Sequence, residues 1–143
     1  MKTVRQLLNE KKRPGIFSVA PNATVYQALQ LMAEKDIGAV LVVEQDKLVG
    51  IFSERDYARK VVLQGKTSAG TPIADIMTRK VVYVRPEQTI EDCMAIMGDK
   101  RIRHLPVMEN DALIGVLSVT DLVRETIAEK EFLIQQLENY IHQ

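Results

Sequence analysis

One segment of this chain occurs twice and constrains the fold more than any other feature. The first copy is residues 50–56 (Gly-Ile-Phe-Ser-Glu-Arg-Asp) and the second is residues 115–121 (Gly-Val-Leu-Ser-Val-Thr-Asp), 65 residues later. The same offset holds without a gap for residues 19–57 against residues 84–122. The identical pairs are Val19/Val84, Pro21/Pro86, Thr24/Thr89, Met32/Met97, Lys35/Lys100, Ile37/Ile102, Val42/Val107, Glu44/Glu109, Asp46/Asp111, Leu48/Leu113, Gly50/Gly115, Ser53/Ser118 and Asp56/Asp121. A solenoid needs at least about three repeats, so this period predicts two paired modules.

The size of the chain limits how the two copies can be arranged. A chain of 143 residues can bury a substantial core, whereas a unit of roughly 60 residues is marginal alone because it buries too little of its surface. We therefore expect the two halves to pack on each other.

Composition excludes several classes of protein. Lys plus Arg and Asp plus Glu both number 19, so there is no basic excess for a nucleic acid backbone. The single cysteine, Cys93, forms no internal disulfide, which fits a reducing compartment. Residues 1–10 lack the apolar core of a signal peptide, and no run approaches the roughly 18 apolar residues of a membrane helix. We expect a cytoplasmic protein that binds neither nucleic acid nor membrane.

The apolar patterns predict the same order of elements in each copy: strand, helix, strand, strand, helix. The predicted elements are a short helix at 3–12, strand 16–19, helix 24–35 with a Thr24/Gln27 capping box, strands 37–43 and 48–52, helix 53–64, a short helix at 73–77, strand 81–84, a helix from 89, strands 102–108 and 113–117, and a helix from 118 towards 143. The predicted domains are residues 1–65 for repeat 1 with the N-terminal helix, 66–128 for repeat 2, and 129–143 for a C-terminal helical extension. The predicted fold class is α+β.

The last helix carries an apolar stripe with nearly heptad spacing. Its residues are Val123, Ile127, Ile134, Leu137 and Ile141, with Lys130 interrupting. Two interpretations are open. The stripe either covers the core of its own chain or forms a homodimer contact.

The duplicated segment also has two interpretations. Ser-x-x-Asp before an apolar run is close to a capping box, which would be purely structural. The same geometry suits a nucleotide, because a helix N-terminus attracts phosphate and a carboxylate one turn into the helix can accept hydrogen bonds from ribose hydroxyls. The carboxylates in question are Asp56 and Asp121.

These two copies, together with the Arg-His-Leu-Pro-Val stretch at 103–107, resemble tandem CBS domains, the pair called a Bateman module. The resemblance covers roughly residues 1–128 and is most specific to small stand-alone bacterial CBS-pair proteins, in which Phe-Ser-Glu-Arg-Asp-Tyr recurs. It implies a CBS-domain pair of two β-α-β-β-α repeats packed about a pseudo-twofold axis, with two clefts between the halves. In such modules adenine lies against the first strand and the start of the second, and ribose and phosphate meet the Ser/Thr-x-x-Asp segment of the opposite half.

Carried over position by position, the resemblance implies two ligand-binding clefts. The first would be lined by Lys12, Phe17, Ile37, Gly38 and Ala39 with Val116, Ser118, Thr120 and Asp121. The second would be lined by Met77, Val82, Ile102, Arg103, His104 and Pro106 with Ser53, Arg55 and Asp56. We expect the first cleft to be the better adenosine site, since Gly38 and Ala39 leave room for a flat base. Arg55 departs from the Ser or Thr usual at its position, and either selects a phosphate or pairs with a carboxylate.

Arg103 and His104 are natural phosphate partners, although such a pair beside a buried strand is often satisfied by backbone carbonyls and neighbouring acids. Cys93 lies on a helix face with no base nearby in the sequence, which favours a core position over a nucleophile. We expect no catalytic residues and no metal site, because no Cys, His or carboxylate cluster accompanies His104.

The leading functional hypothesis is a non-enzymatic sensor that binds an adenosine nucleotide such as AMP, ADP, ATP or NAD(H) as a regulatory ligand between its halves. It would act as a homodimer and pass its signal to an effector protein that the sequence does not identify. One alternative is a ligand-independent interaction or dimerisation module. Another is an enzyme acting on phosphate, for which the sequence shows no converging base, nucleophile or metal.

Overall fold

The computed structural model describes residues 2–11 and 16–142 of the chain. They fall into two compact units. We name the unit of residues 16–83 and 109–114 the repeat-1 unit, and the unit of residues 2–11, 84–108 and 115–142 the repeat-2 unit. The order of the elements in the two units agrees with the predicted α+β class and with the predicted duplication.

Except for a strand predicted at residues 81–84, the elements follow the order predicted from the apolar pattern. In chain order they are α1 (Val4–Glu10), β1 (Ser18–Val19), α2 (Val25–Lys35), β2 (Ala39–Glu44), β3 (Lys47–Ser53), α3 (Glu54–Asp56) continued by a π-helical segment (Tyr57–Val62), a 3₁₀ turn (Ile73–Asp75), α4 (Ile90–Lys100), β4 (His104–Glu109), β5 (Ala112–Ser118) and α5 (Val119–Ile141). The predicted Thr24/Gln27 capping box is present at the start of α2, and Thr89 with Asp92 forms its counterpart on α4. These boxes satisfy backbone donors that would otherwise be unpaired at the two helix starts.

The repeat-1 unit contains a three-stranded sheet in the order β1-β2-β3. β1 pairs parallel with β2, and β2 pairs antiparallel with β3 so that Ala39 lies opposite Ser53. The two-residue turn between β2 and β3 places Gln45 and Asp46 at positive φ, 51° and 64°, as the tight hairpin turns that match strand twist require. Asn110 and Asp111 do the same between β4 and β5, at 52° and 65°.

The core of the repeat-1 unit lies between this sheet, α2 and the segment around the 3₁₀ turn. Its buried residues are Val25, Ala28, Met32, Val40, Val42, Phe52, Val61, Ile73, Ile76 and Met77. In the repeat-2 unit, Val4 and Leu7 of α1 are buried. So are Ile90, Cys93, Met97, Leu105, Val107, Leu117 and Leu122.

A segment outside the gap-free repeat completes each unit. In the repeat-2 unit, the backbone bonds are Val4 N to Gln88 O at 2.8 Å, Arg5 N to Pro86 O at 3.0 Å and Ile90 N to Lys2 O at 3.1 Å. In the repeat-1 unit, the equivalent bonds are Ile73 N to Ala23 O at 2.7 Å, Ala74 N to Pro21 O at 3.0 Å and Val25 N to Thr71 O at 2.9 Å. The completing segments, residues 2–5 and 71–74, are thus related by an offset of 69 residues and not 65, which is why the gap-free comparison does not reach them.

The strand predicted at residues 81–84 is wrong, because only Val84 forms a bridge, to Val107. In the repeat-1 unit, Leu41 N donates to Phe17 O at 3.2 Å. The residues at the matching positions are Pro106 and Val82. Since proline has no N–H, this bond of the parallel ladder cannot form in the repeat-2 unit.

Within the described part of the chain, none of the helices has the length and apolar character needed to cross a membrane.

Candidate functional site

Each copy of the duplicated segment ends a strand and begins a helix. Ser118 closes β5, and its Oγ accepts a hydrogen bond from Asp121 N at 3.2 Å while Asp121 Oδ2 accepts one from Ser118 N at 2.8 Å. Ser53 and Asp56 form the same pair of bonds at the start of α3, at 3.2 and 3.0 Å. The capping-box interpretation is therefore confirmed at both copies. The reciprocal bonds also hold each carboxylate in one orientation.

The carboxylate of Asp56 is hydrogen-bonded through both of its oxygens. Oδ2 accepts bonds from Ser53 N and from Ser53 Oγ, the latter at 3.1 Å. Oδ1 accepts one from Thr78 Oγ1 at 3.3 Å and lies 3.1 Å from Lys60 Nζ. Lys60 is itself held by the carbonyl of Ile76 at 3.2 Å. We call Ser53, Asp56, Lys60 and Thr78 the Asp56 cluster.

Among the described residues, the carboxylate of Asp121 is held through one of its oxygens. Oδ2, which accepts the bond from Ser118 N, also lies 3.1 Å from Lys11 Nζ. Lys11 Nζ donates a second bond to the carbonyl of Val116 at 2.7 Å. Asp121 Oδ1 accepts no hydrogen bond from any residue that the structure describes, and the side chain is 18% exposed. One oxygen of Asp121 is therefore available to another donor.

The cation beside each carboxylate comes from a different part of the chain. Lys60 is one helical turn beyond Asp56 on the same stretch of helix. The matching residue on α5 is Glu125, which is buried and pairs with Lys2 at 2.9 Å. Because α5 has no lysine at this position, Lys11, which follows α1, supplies the positive charge.

Two basic side chains lie near the start of α5. The carbonyl of Arg103 accepts a bond from Val119 N at 2.9 Å, which ties the segment before β4 to the first turn of α5. Burial lowers the pKa of His104; the Asp121 carboxylate opposes this effect, and Lys11 and Arg103 add to it. We call Lys11, Arg103, His104, Ser118 and Asp121 the Asp121 cluster.

The matching positions of the repeat-1 unit carry no charge. Glu54 N donates to Gly38 O at 3.1 Å, and Ala39 pairs with Ser53 across the β2–β3 ladder. Gly38 and Ala39 therefore lie beside the Asp56 cluster, where the repeat-2 unit has Arg103 and His104. The two clusters share their backbone plan and differ in net charge.

The residues predicted for each cleft are divided between the two units. Of the first set, Phe17, Ile37, Gly38 and Ala39 lie in the repeat-1 unit, Val116, Ser118, Thr120 and Asp121 lie in the repeat-2 unit, and Lys12 is outside the described residues. Of the second set, Met77, Val82, Ser53, Arg55 and Asp56 lie in the repeat-1 unit, and Ile102, Arg103, His104 and Pro106 lie in the repeat-2 unit. The assembly of these residues into two clefts stays a prediction.

The sequence interpretation missed Lys60, Thr78 and Lys11. The i, i+4 spacing of Asp56 and Lys60 on a predicted helix is a signal that could have identified that pair. No comparable signal joins Lys11 to Asp121, since 110 residues separate them.

Cys93 is fully buried, and burial raises the pKa of its thiol to about 11. The prediction of a core position is confirmed. Among the residues described, no group of three or more His, Cys, Asp or Glu side chains is placed to hold a metal ion.

Two repeats, each with a Ser-x-x-Asp cap on the helix that follows its hairpin, define a CBS-domain pair, which is a regulatory module. The CBS domain family matches residues 4–63 and 73–127. The chain therefore belongs to the CBS domain family.

Three known proteins illustrate the similarity. The CBS domain-containing protein CBSX3, mitochondrial, of Arabidopsis thaliana is 42% identical over 123 residues, which are 82% of this chain and 60% of that protein. The chain thus spans less than two thirds of this relative. A solved protein with CBS domains from Burkholderia ambifaria MC40-6 is 51% identical, with a TM-score of 0.85 over 89% of this chain and 95% of that one. The CBS domain pair of protein MJ0100, solved with 5′-methylthioadenosine and S-adenosyl-L-methionine, has a TM-score of 0.79 over 90% of this chain and 98% of that one; at 24% identity it shows the fold alone.

Proposed function

We propose that this chain is a non-enzymatic sensor that binds an adenosine nucleotide, such as AMP, ADP, ATP or NAD(H), with Asp121 and Asp56 as the candidate acceptors for ribose hydroxyls. The observation that carries the proposal is the carboxylate of Asp121, which the capping box holds in place while its Oδ1 accepts no bond from the described residues. A ribose presents two adjacent hydroxyl donors, which match a carboxylate with an available oxygen.

The charges around Asp121 support a ligand that carries phosphate. The Nζ of Lys11 lies 3.1 Å from this carboxylate, and Asp121, Lys11 and Arg103 are all close enough to His104 to shift its pKa. Arginine and lysine both bind phosphate through charge-assisted hydrogen bonds. An adenosine nucleotide would bring the diol and the phosphate to the same cluster.

A sensor must couple binding to a change in the protein. A ligand shifts an equilibrium between two arrangements only if it binds one of them more tightly. We propose that nucleotide binding favours one arrangement of the chain, and that an effector protein distinguishes it from the other.

The experiment that tests this function is a thermal-shift panel with AMP, ADP, ATP, NAD and NADH. Guanosine nucleotides serve as controls, and 5′-methylthioadenosine and S-adenosyl-L-methionine extend the panel to other adenosine compounds. A ligand present at 100 times its dissociation constant adds about 2.7 kcal/mol to the free energy of unfolding, a clear shift of the midpoint. The double variant Asp56→Ala with Asp121→Ala should lose the response, and retained affinity in it would refute the assigned residues.

A second candidate is a dimerisation module, and the exposed face of α5 favours it. Val123, Ile127, Ile134, Leu137 and Ile141 are between 50% and 73% exposed, so the interpretation that this stripe covers the core of its own chain is wrong. Pairing of two α5 helices would bury the stripe. We propose a homodimer built on this contact, in which the nucleotide sensor is also active.

Light scattering on a chain shortened by residues 129–143 tests the dimer. Loss of the dimer with unchanged nucleotide affinity would separate the two roles. If the 143-residue chain is monomeric at the concentration of the assay, the proposed contact is refuted.

A further inference from the structure

The two clusters differ in what a nucleotide would have to displace. Both oxygens of Asp56 already accept bonds from the protein, and its partner Lys60 is anchored by Ile76 O and lies 3.4 Å from Thr78 Oγ1. Among the described residues, the Oδ1 of Asp121 accepts none, and Lys11 is the one side-chain partner of its Oδ2. A ribose could bind Asp121 at the cost of one ion pair, whereas Asp56 would have to give up several bonds.

From this difference we infer that Lys11 determines the specificity of the Asp121 cluster for nucleotides over nucleosides: the phosphate of the ligand takes Lys11 from Asp121, and the carboxylate is then fully available to the ribose. This inference rests on the proposed function, because it assumes that the ribose binds at Asp121. No covalent bond is made or broken in the exchange.

The geometry of Lys11 permits the exchange. Its Nζ bridges Asp121 Oδ2 at 3.1 Å and Val116 O at 2.7 Å, and the side chain is 21% exposed. The lysine stem is flexible and its ammonium has three donors, so Nζ can keep the carbonyl of Val116 while it turns from the carboxylate to a phosphate. Because Lys11 and Arg103 carry two positive charges against the one carboxylate of Asp121, the cluster keeps a net positive charge when neutral ribose hydroxyls bind Asp121.

A nucleoside without phosphate offers Lys11 nothing in exchange. Its first hydroxyl can bind Oδ1, but its second must compete with the ammonium for Oδ2, and a partly buried lysine that loses its counter-ion is left poorly compensated. With Lys11 in place, the cluster therefore disfavours adenosine and favours AMP. Without Lys11, this preference should shrink, because AMP loses a phosphate partner and adenosine no longer competes with the ammonium.

The test compares the dissociation constants of AMP and adenosine, measured by isothermal titration calorimetry. The variants are Lys11→Met, which keeps the length of the side chain and removes its charge, and Lys60→Met, the matched control at the Asp56 cluster. We expect Lys11→Met to raise the dissociation constant of AMP by about tenfold or more, as the loss of a charge-assisted bond to phosphate implies. The dissociation constant of adenosine should stay unchanged or fall. Lys60→Met should leave the ratio of the two constants as in the wild type.

Each outcome decides between the inference and the proposed function. If the wild type binds AMP, and Lys11→Met changes the dissociation constants of AMP and adenosine by the same factor or changes neither, the role of Lys11 is refuted. The proposed sensor function is then unaffected. A changed ratio in Lys60→Met and not in Lys11→Met would move the site to Asp56. If the wild type binds no adenosine compound, both proposals fail. Lys11→Gln repeats the test should circular dichroism show that Lys11→Met is misfolded.

Discussion

Leu8, in the last turns of α1, lies directly against Gly115 of β5. A Cβ on Gly115 would stand 2.7 Å from Leu8 Cδ2, which is closer than two carbons can approach. The contact explains why α1 needs a glycine on this strand, and it has a counterpart between Met77 and Gly50, where a Cβ would stand 2.6 Å from Met77 Sδ.

The two glycines should differ in their tolerance of alanine. At Gly50 a Cβ would also meet the backbone carbonyl of Thr78 at 3.1 Å, whereas at Gly115 every close neighbour is a side-chain atom of Leu8. Gly50→Ala should therefore lower the free energy of unfolding by about 1–3 kcal/mol, and Gly115→Ala by less, because the Leu8 side chain can move. Urea unfolding of both variants checks the order, and an equal or larger loss in Gly115→Ala would contradict it.

The two aspartates should separate stability from binding. Asp56 is 9% exposed and bonded through both oxygens, so Asp56→Ala removes the counter-ion of Lys60 and the acceptor of Thr78 Oγ1 and should cost about 1–3 kcal/mol. Asp121→Ala should cost about 1 kcal/mol, since it removes one half of a capping box and one ion pair, and the carboxylate is bonded through Oδ2 alone among the described residues.

Nucleotide affinity should respond in the opposite order. Asp121→Ala is expected to abolish the binding of AMP, while Asp56→Ala, assayed below its unfolding midpoint, should retain most of it. Denaturant titration measures the free energy of unfolding of each variant, and calorimetry measures its affinity for AMP. Equal loss of affinity in both variants would show that the two carboxylates bind ligand equally.

Stability should fall in mild acid because of His104. Burial holds the pKa of the folded His104 below its ordinary value of 6.5, and it outweighs the opposing carboxylate of Asp121; the charges on Lys11 and Arg103 lower it further. The unfolded chain therefore binds a proton on this residue at a higher pH than the folded one. The contribution of the neutral imidazole is fully present above pH ~6.5 and is lost as the pH falls through the lower, folded pKa.

Urea midpoints between pH 8 and pH 5.5 for the wild type and for His104→Gln measure this effect. The wild type should lose more stability than the variant over this range. Parallel curves would show that His104 titrates alike in the folded and unfolded states.

Pro106 should be the residue that shortens the parallel ladder of the repeat-2 unit. In the repeat-1 unit, Leu41 at the matching position donates its N–H to Phe17 O at 3.2 Å. Pro106→Ala gives residue 106 an N–H of its own, which can then bond to Val82 O. Hydrogen exchange followed by NMR should show a protected amide at residue 106 in this variant. Rapid exchange of that amide would indicate that a cause other than the missing donor keeps residues 81–83 out of the sheet.

Much of the local structure could be predicted from the sequence because its signals are local. The capping boxes at Thr24, Ser53 and Ser118 depend on residues three apart, and the hairpins depend on apolar runs separated by short polar turns. The sequence also contains the reason why residues 81–84 form no strand, which is the proline in the neighbouring strand β4. That proline becomes informative only when the register of the two strands is known.

The sequence by itself determined the duplication, the order of the elements and the family, because a repeat and its periodic apolar pattern are visible without any knowledge of distant contacts. Only the tertiary structure decided that residues 2–10 complete the repeat-2 unit, that Lys11 and not a residue of α5 holds Asp121, and that one oxygen of Asp121 lacks a donor among the described residues. The physical reason is separation along the chain. Residues 11 and 121 are brought together by the packing of α1 against β5, and no local sequence pattern predicts that contact.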